Sequence, residues 1–391
     1  MKICFLIFRN TYFRIVSPII DTALKSGHEV FCFHDYSQPK TGSKGYQFPA
    51  LEQVPSFSSG KPVCLSFESS QDFIEKAVSN GIVAVVSVDF WDSYLDLRKQ
   101  LKEKGIFWFS LQNGFDTAVN SGKFLSGPDK FFFYSLEWFD WMADFLKTPN
   151  LQKELGDKAE VVGFWLAEQK KIIDPVGVRT KWGIPFDKKI VLLLPFPFGS
   201  SKKSFWTHCV FGTRFLSREN DFEAVKSIRK FCDKNNAFFL VKCRQKDPAK
   251  KYLTRIADKV LYDEGFYPST IMECFSIANI CFNFYSTCAI ESAALGVPNV
   301  CIAPDVKKWQ DINNAFWESI LRKEKDFFDT PGVSYLQTVS EIIKNLPQKS
   351  FSDFSFSAEK QAQYLQKYAM GETQNASPKI IKEIEKIIQV R

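Results

Sequence analysis

Residues 279–300 read NICFNFYSTCAIESAALGVPNV. The apolar run ending at Tyr285 reads as a buried strand. The hydroxyl pair Ser286–Thr287 opens a helix of small residues, and Gly296-Val297-Pro298 turns into a second apolar run. Strand, short loop, helix, Gly turn and strand in this order form the repeating unit of a parallel α/β sheet. The pattern extends upstream through KIVLLLPFPFG (189–199), AFFLVKCR (237–244) and a helical STIMECFSIAN (269–279).

The first half is built the same way. MKICFLIFRN reads as a first strand and is followed by a helical pattern through Ile15, Ile19, Ile20 and Leu24 that stops at Gly27. Its apolar run is too short for the roughly 7–15-residue core of a signal peptide. IVAVVSV (82–88) and IFWFSLQNG (106–114) read as further buried strands. Residues 168–188 carry two prolines and two glycines among polar residues and read as a hinge. The chain is therefore expected to hold two Rossmann-like doubly wound α/β domains, 1–173 and 174–370. A terminal helix at 371–391, with Ile380, Ile384, Ile387 and Ile388 on one face, is expected to pack back across the hinge.

Composition narrows the function. At 391 residues, 45% hydrophobic and 24% charged, the chain is globular and long enough for two domains. No apolar run reaches the roughly 18 residues of a membrane-spanning helix. The net charge is +7, but the lysines are spread along the chain, which argues against nucleic acid. Ten cysteines form no CxxC pair, and there are three histidines. Cys4, Cys32, Cys64, Cys281 and Cys301 lie in apolar runs and read as buried reduced thiols, so a reducing cytoplasm is expected. Walker, GxGxxG, GxSxG, HExxH and Asp-x-Asp motifs are missing, which removes the common kinases, dehydrogenases and hydrolases.

Three segments carry candidate chemistry. At Ser286–Thr287, helix N-terminal amides and small hydroxyls suit a phosphate, and Glu291 one turn on suits sugar hydroxyls. The plain alternative is an N-cap followed by a solvated acid. Lys242 and Arg244, at the end of the FFLVK strand, suit an anion or form an ordinary basic loop. In SLQNGFD, an Asn-Gly turn presents Gln112, Asn113 and Asp116 at a sheet edge, or is only a turn.

With FYSTCAIESAALGVPNV and YPSTIMECFSIANICF in place, the second half resembles the donor half of a GT-B fold glycosyltransferase. It is similar to the bacterial surface-polysaccharide group that includes Kdo transferases and CDP-glycerol glycerophosphotransferases, and to the related UDP-GlcNAc 2-epimerases. YLQKYAMGETQNASPKIIKEI resembles the end of those chains, and LQNG stands where relatives often carry Gln-His-Gly. The resemblance implies two domains facing a cleft and a nucleotide-sugar donor (CMP-, CDP- or UDP-linked) whose phosphate meets Ser286 and Thr287. It places Glu291 on ribose or sugar hydroxyls and Lys242 and Arg244 near the phosphate. KCRQ lacks the His and prolines of the relatives' Lys-Pro-His-Pro. Asn113 replaces their His and cannot act as a base, so Asp116, Asp89 or Asp35 takes that role, Asp116 first. Metal-independent, inverting transfer to a glycan or glycolipid is expected. The alternatives are a sugar-nucleotide 2-epimerase and a nonenzymatic sugar-nucleotide or glycan binder. The +7 charge and the aromatic FFFYSLEWFDWM (131–142) suggest a peripheral position at the inner membrane face, unless that segment is a core helix.

Overall fold

The computed structural model describes residues 1–37, 54–114, 117, 121–195, 208–210, 213–216, 218–244, 250–262, 265–284, 286–303, 325–371 and 373–390. The chain forms two compact units. Unit 1 comprises Met1–Gln169, Gly265–Tyr267 and Gln366–Arg391, and unit 2 comprises Lys170–Glu264 and Pro268–Leu365.

Unit 1 is built on a parallel sheet of β1 (Lys2–Ile7), β2 (Glu29–Asp35), β3 (Val63–Phe67), β4 (Ala84–Val88), β5 (Phe107–Leu111), β6 (Lys130–Phe133) and β7 (Ala159–Val161), in the order β3-β2-β1-β4-β5-β6-β7. The central strands are apolar at successive positions because helices cover both faces, and Ile3, Phe5, Val85 and Phe109 are fully buried. Helix α1 (Phe13–Lys25) crosses from β1 to β2.

The aromatic stretch at 130–146 is a strand followed by a helix. Phe131, Phe132 and Phe133 lie in β6, and Trp138, Phe139 and Trp141 in α2 (Glu137–Leu146). All six are buried, and the Trp138 indole donates to the Tyr368 carbonyl at 3.2 Å. These rings are core, so the membrane-facing reading of this segment does not hold. Among the described residues no helix is long and apolar enough to cross a membrane.

The terminal helix α3 (Ala376–Gln389) packs on α1 with Ile380 and Ile384 fully buried. Lys130 Nζ donates to Glu383 Oε1 at 2.6 Å, and His28 Nε2 lies 3.0 Å from Glu385. Gly265–Tyr267 completes the unit, with Phe266 against Phe13 and the Tyr267 hydroxyl donating to Asp21 at 2.8 Å.

Unit 2 repeats the plan. Its parallel sheet holds β8 (Ile190–Leu193), β11 (Phe238–Lys242), β12 (Lys259–Leu261), β13 (Ile280–Asn283), β14 (Asn299–Ala303) and β15 (Ser334–Thr338), ordered β12-β11-β8-β13-β14-β15. Numbered within the unit this is 3-2-1-4-5-6, the doubly wound order. An antiparallel hairpin, β9 (His208–Val210) and β10 (Thr213–Leu216), separates β8 from β11. The fold class read from the sequence is the one observed. In each unit the strand order reverses beside the first strand, between β1 and β4 and between β8 and β13, and this reversal point is where open α/β sheets bind ligands.

Candidate functional site

In unit 2 the segment after β13 leaves the sheet at its reversal point. A row of buried amides and a hydroxyl fixes the strand ends: Asn283 donates to Asn299, Asn299 Nδ2 donates to Ser334 Oγ at 2.9 Å, and Ser334 Oγ donates to the Phe328 carbonyl at 2.9 Å. Ser286 N donates to Asn283 Oδ1 at 3.3 Å, and Ser286 Oγ accepts from Cys288 N at 3.2 Å. Ser286 therefore caps α4 (Cys288–Ala294), while Thr287, at the N-cap position, makes no side-chain cap bond. Both are half-buried. The helix ends at Gly296, whose φ of +76° favours glycine in the left-handed region. Val297 N returns to the Ser292 carbonyl at 3.0 Å.

Glu291 is not a solvated first-turn acid. It is 2% exposed, and its Oε1 has no hydrogen-bond partner among the described residues. A buried carboxylate oxygen without a donor is costly, and a ligand hydroxyl at that oxygen offsets the cost.

Lys242 is the last residue of β11, on the same carboxyl edge of the sheet, and its Nζ donates to the Cys243 carbonyl at 2.6 Å. Because the strand ends there, the alternation read for Lys242 and Arg244 stops at Lys242. Arg244 follows the strand and is exposed.

Unit 1 gathers polar residues at its own reversal point. Asp89 follows β4, is fully buried, and holds a left-handed φ of +57°. Thr117 Oγ1 donates to its Oδ1 at 2.7 Å, and Asn113 Nδ2 approaches Oδ2 at 3.4 Å. Asp35, at the end of β2, is 3% exposed and accepts Ser37 N at 2.8 Å. Burial pushes its carboxyl above the usual range, against two hydrogen bonds from Ser37. Asp35 and Asp89 both act on Tyr94. Burial first, then the charges of Tyr12, Asp35 and Asp89, push that hydroxyl up, and Arg9 opposes them. Tyr12, Tyr94 and Arg9 were not singled out in the sequence. Their signal was position, since each follows a strand that ends at the reversal point.

Gln112 is a correction. The sequence placed it at the sheet edge, but it is 1% exposed and turned inward. Its Oε1 accepts Tyr134 N at 2.9 Å and its carbonyl accepts the Tyr134 hydroxyl at 3.0 Å, joining β5 to β6. Asn113 is half-buried at the turn, and Asp116 lies outside the described residues. Among the described residues no group of three His, Cys, Asp or Glu side chains is placed to hold a metal ion.

No family profile and no curated protein matches the sequence. Solved structures do match. The wall teichoic acid polymerase TagF superposes with a TM-score of 0.61 at 15% identity, covering 99% of this chain and 89% of that one. The UDP-GlcNAc 2-epimerase of Neisseria meningitidis, bound to UDP-GlcNAc, gives a TM-score of 0.59 at 13% identity over 99% and 100% of the two chains. The Methanocaldococcus jannaschii UDP-GlcNAc 2-epimerase gives 0.60 at 12% identity over 98% and 99%. At these identities the likeness is one of fold: the chain has the two-domain α/β architecture of the GT-B kind.

Proposed function

We propose that this chain is a glycosyltransferase that moves a sugar from a nucleotide-activated donor to a surface glycan or lipid-linked acceptor, with inversion and without a metal. The observation that carries the reading is Glu291, a buried carboxylate with an unpartnered oxygen just beyond the reversal point of the unit 2 sheet. Carboxylates in such positions accept from paired hydroxyls, as on a ribose or a sugar. Ser286 and Thr287 would receive the donor phosphate. Lys242 and Arg244 would supply positive charge for the leaving group, which removes the need for a metal. Asp89 is assigned as the base on the acceptor hydroxyl, with Asp35 and Asp116 as the other carboxylates of that unit. The expected setting is the cytoplasm, with the +7 charge favouring the inner face of the membrane.

A thermal-shift screen with CMP, CDP, UDP, GDP, dTDP and their sugar conjugates tests the reading. One nucleotide at about 100 times its Kd stabilises the fold by about 2.7 kcal/mol. A selective shift lost in Glu291→Gln supports the donor site and names the base. No shift with any nucleotide at millimolar concentration overturns it.

The second reading is a sugar-nucleotide 2-epimerase, supported by the Neisseria epimerase matching over 100% of its own chain. Epimerisation of the donor with no acceptor present would select it. Binding without turnover of any donor–acceptor mixture would select a nonenzymatic sugar-nucleotide binder.

A further inference from the structure

Nine cysteines have described side chains, and eight of them are buried. The exception is Cys64, which is half-buried on β3, the edge strand of unit 1. Cys64 stands directly across from Cys32 of β2 in the parallel register, so the two side chains share a face. Neighbouring strands run about 4.8 Å apart, within the roughly 4.4–6.8 Å Cα separation that a disulfide spans. His34, two residues along β2 on that face, is fully buried, and neither ring nitrogen has a hydrogen-bond partner among the described residues. Lys61 lies at the approach to the strand.

The electrostatics separate the two thiols. The Cys32 S–H beside Cys64, against partial burial and with help from His34 and Lys61, holds the Cys64 thiol below its ordinary value, while burial and that same contact push Cys32 up. Cys64 is thus a half-buried edge-strand thiol, its Sγ 3.7 Å from the Pro62 carbonyl, with the Cys32 thiol on the facing position. A low-pKa exposed thiol beside a second cysteine is the arrangement that oxidants select.

We propose that Cys64 is a hydroperoxide-reactive site and that Cys32 resolves it into a reversible disulfide, independently of any sugar-nucleotide activity. The Cys64 thiolate attacks the terminal oxygen of a hydroperoxide, ROOH. The O–O bond breaks, Cys64 becomes a sulfenic acid, and the alkoxide leaves and takes a proton from water. The Cys32 sulfur then attacks the sulfenic sulfur, the S–O bond breaks, and the Cys32 proton leaves with the hydroxyl as water. Two equivalents of a small thiol return both cysteines through a mixed disulfide.

The test begins with the unmodified folded protein. Iodoacetamide at about pH 6 should label Cys64 about tenfold faster than any other cysteine in a peptide map. One equivalent of hydrogen peroxide should then remove two hydrogens from the mass and produce a Cys32–Cys64 peptide that dithiothreitol reverses. In Cys32→Ser, the oxidised Cys64 should instead be trapped by dimedone. Uniform labelling of several cysteines overturns the proposal. So does oxidation of Cys64 to the sulfinic acid in the unmodified protein with Cys32 unchanged.

Discussion

The Thr117 hydroxyl donates to Oδ1 of Asp89 at 2.7 Å while accepting the Asn113 amide at 2.6 Å, so the loop after β5 is tied to the end of β4 through one carboxylate. Asn tolerates the left-handed backbone of this position, so Asp89→Asn keeps shape and removes charge and one acceptor. The lost hydrogen bond should cost about 1–3 kcal/mol. At roughly 2–4 °C per kcal/mol for a unit of about 200 residues, that lowers the Tm of unit 1 by roughly 2–12 °C. Turnover per folded molecule should fall about 100-fold or more, as for loss of a general base. A turnover loss no larger than the loss of folded protein would assign Asp89 to the fold alone.

Glu291→Gln should separate binding from stability. The amide keeps the shape of a buried group whose Oε1 is unpartnered among the described residues, so the unliganded protein should be unchanged or more stable by about 1 kcal/mol. The nucleotide-induced shift should disappear in the same variant. Melting curves with and without ligand read both quantities. A destabilised variant that still responds fully to nucleotide would contradict this role for Glu291.

The terminal helix should loosen in acid. Burial pushes Glu383 up, but Lys130 and Lys386 outweigh it and hold the carboxyl below its usual value. A depressed acid adds stability that is complete above the unfolded value, about 4.3, and is lost as pH falls through the lower folded value. The protection of residues 376–389 against hydrogen exchange, relative to the intrinsic rate at each pH, should therefore fall below about pH 4. Glu383→Gln should give the same loss of protection at pH 7 and cost about 1–3 kcal/mol. Protection factors in this helix that stay constant down to about pH 3 would remove the ion pair as its clamp.

Gly127→Ala tests the packing behind the Asp89 loop. A Cβ at Gly127 would overlap the Phe90 ring, with Cδ1 at 2.9 Å, and would meet the Phe124 carbonyl at 3.0 Å. Phe90 is fully buried against Tyr94 and Trp108, so it has little room to move. Overpacking of this kind costs about 1–3 kcal/mol. A denaturant melt with an unchanged midpoint would show that the ring can shift.

The central strands were legible because a parallel strand covered on both faces is apolar at every position, as in Ala84–Val88 and Ile190–Leu193. β6 was hidden inside its aromatic segment because Phe131–Phe133 run without a break into the aromatic positions of α2. β15, Ser334–Thr338, carries polar residues at an edge and shows no apolar run. Glu291 was legible as a residue type at the right spacing, but its burial depends on elements distant in sequence. Gln112 was misplaced because its partner, Tyr134, directly follows the neighbouring strand β6, where turn chemistry alone gives no information. Cys64 was misread because an apolar run does not distinguish a central strand from an edge.

The three separate segments of unit 1 have a consequence for synthesis on the ribosome. The face of α1 (Phe13–Lys25) that receives Ile380 and Ile384 is made before residues 170–365, and the helix that fills it, Ala376–Gln389, only after them. Most of unit 2, Lys170–Glu264 and Pro268–Leu365, is made in the interval and can begin to collapse first. The nascent chain therefore carries an uncovered apolar stripe until residues 376–389 are made. A premature stop before residue 376 would leave it permanently uncovered and make the truncated product a substrate for chaperones and proteases.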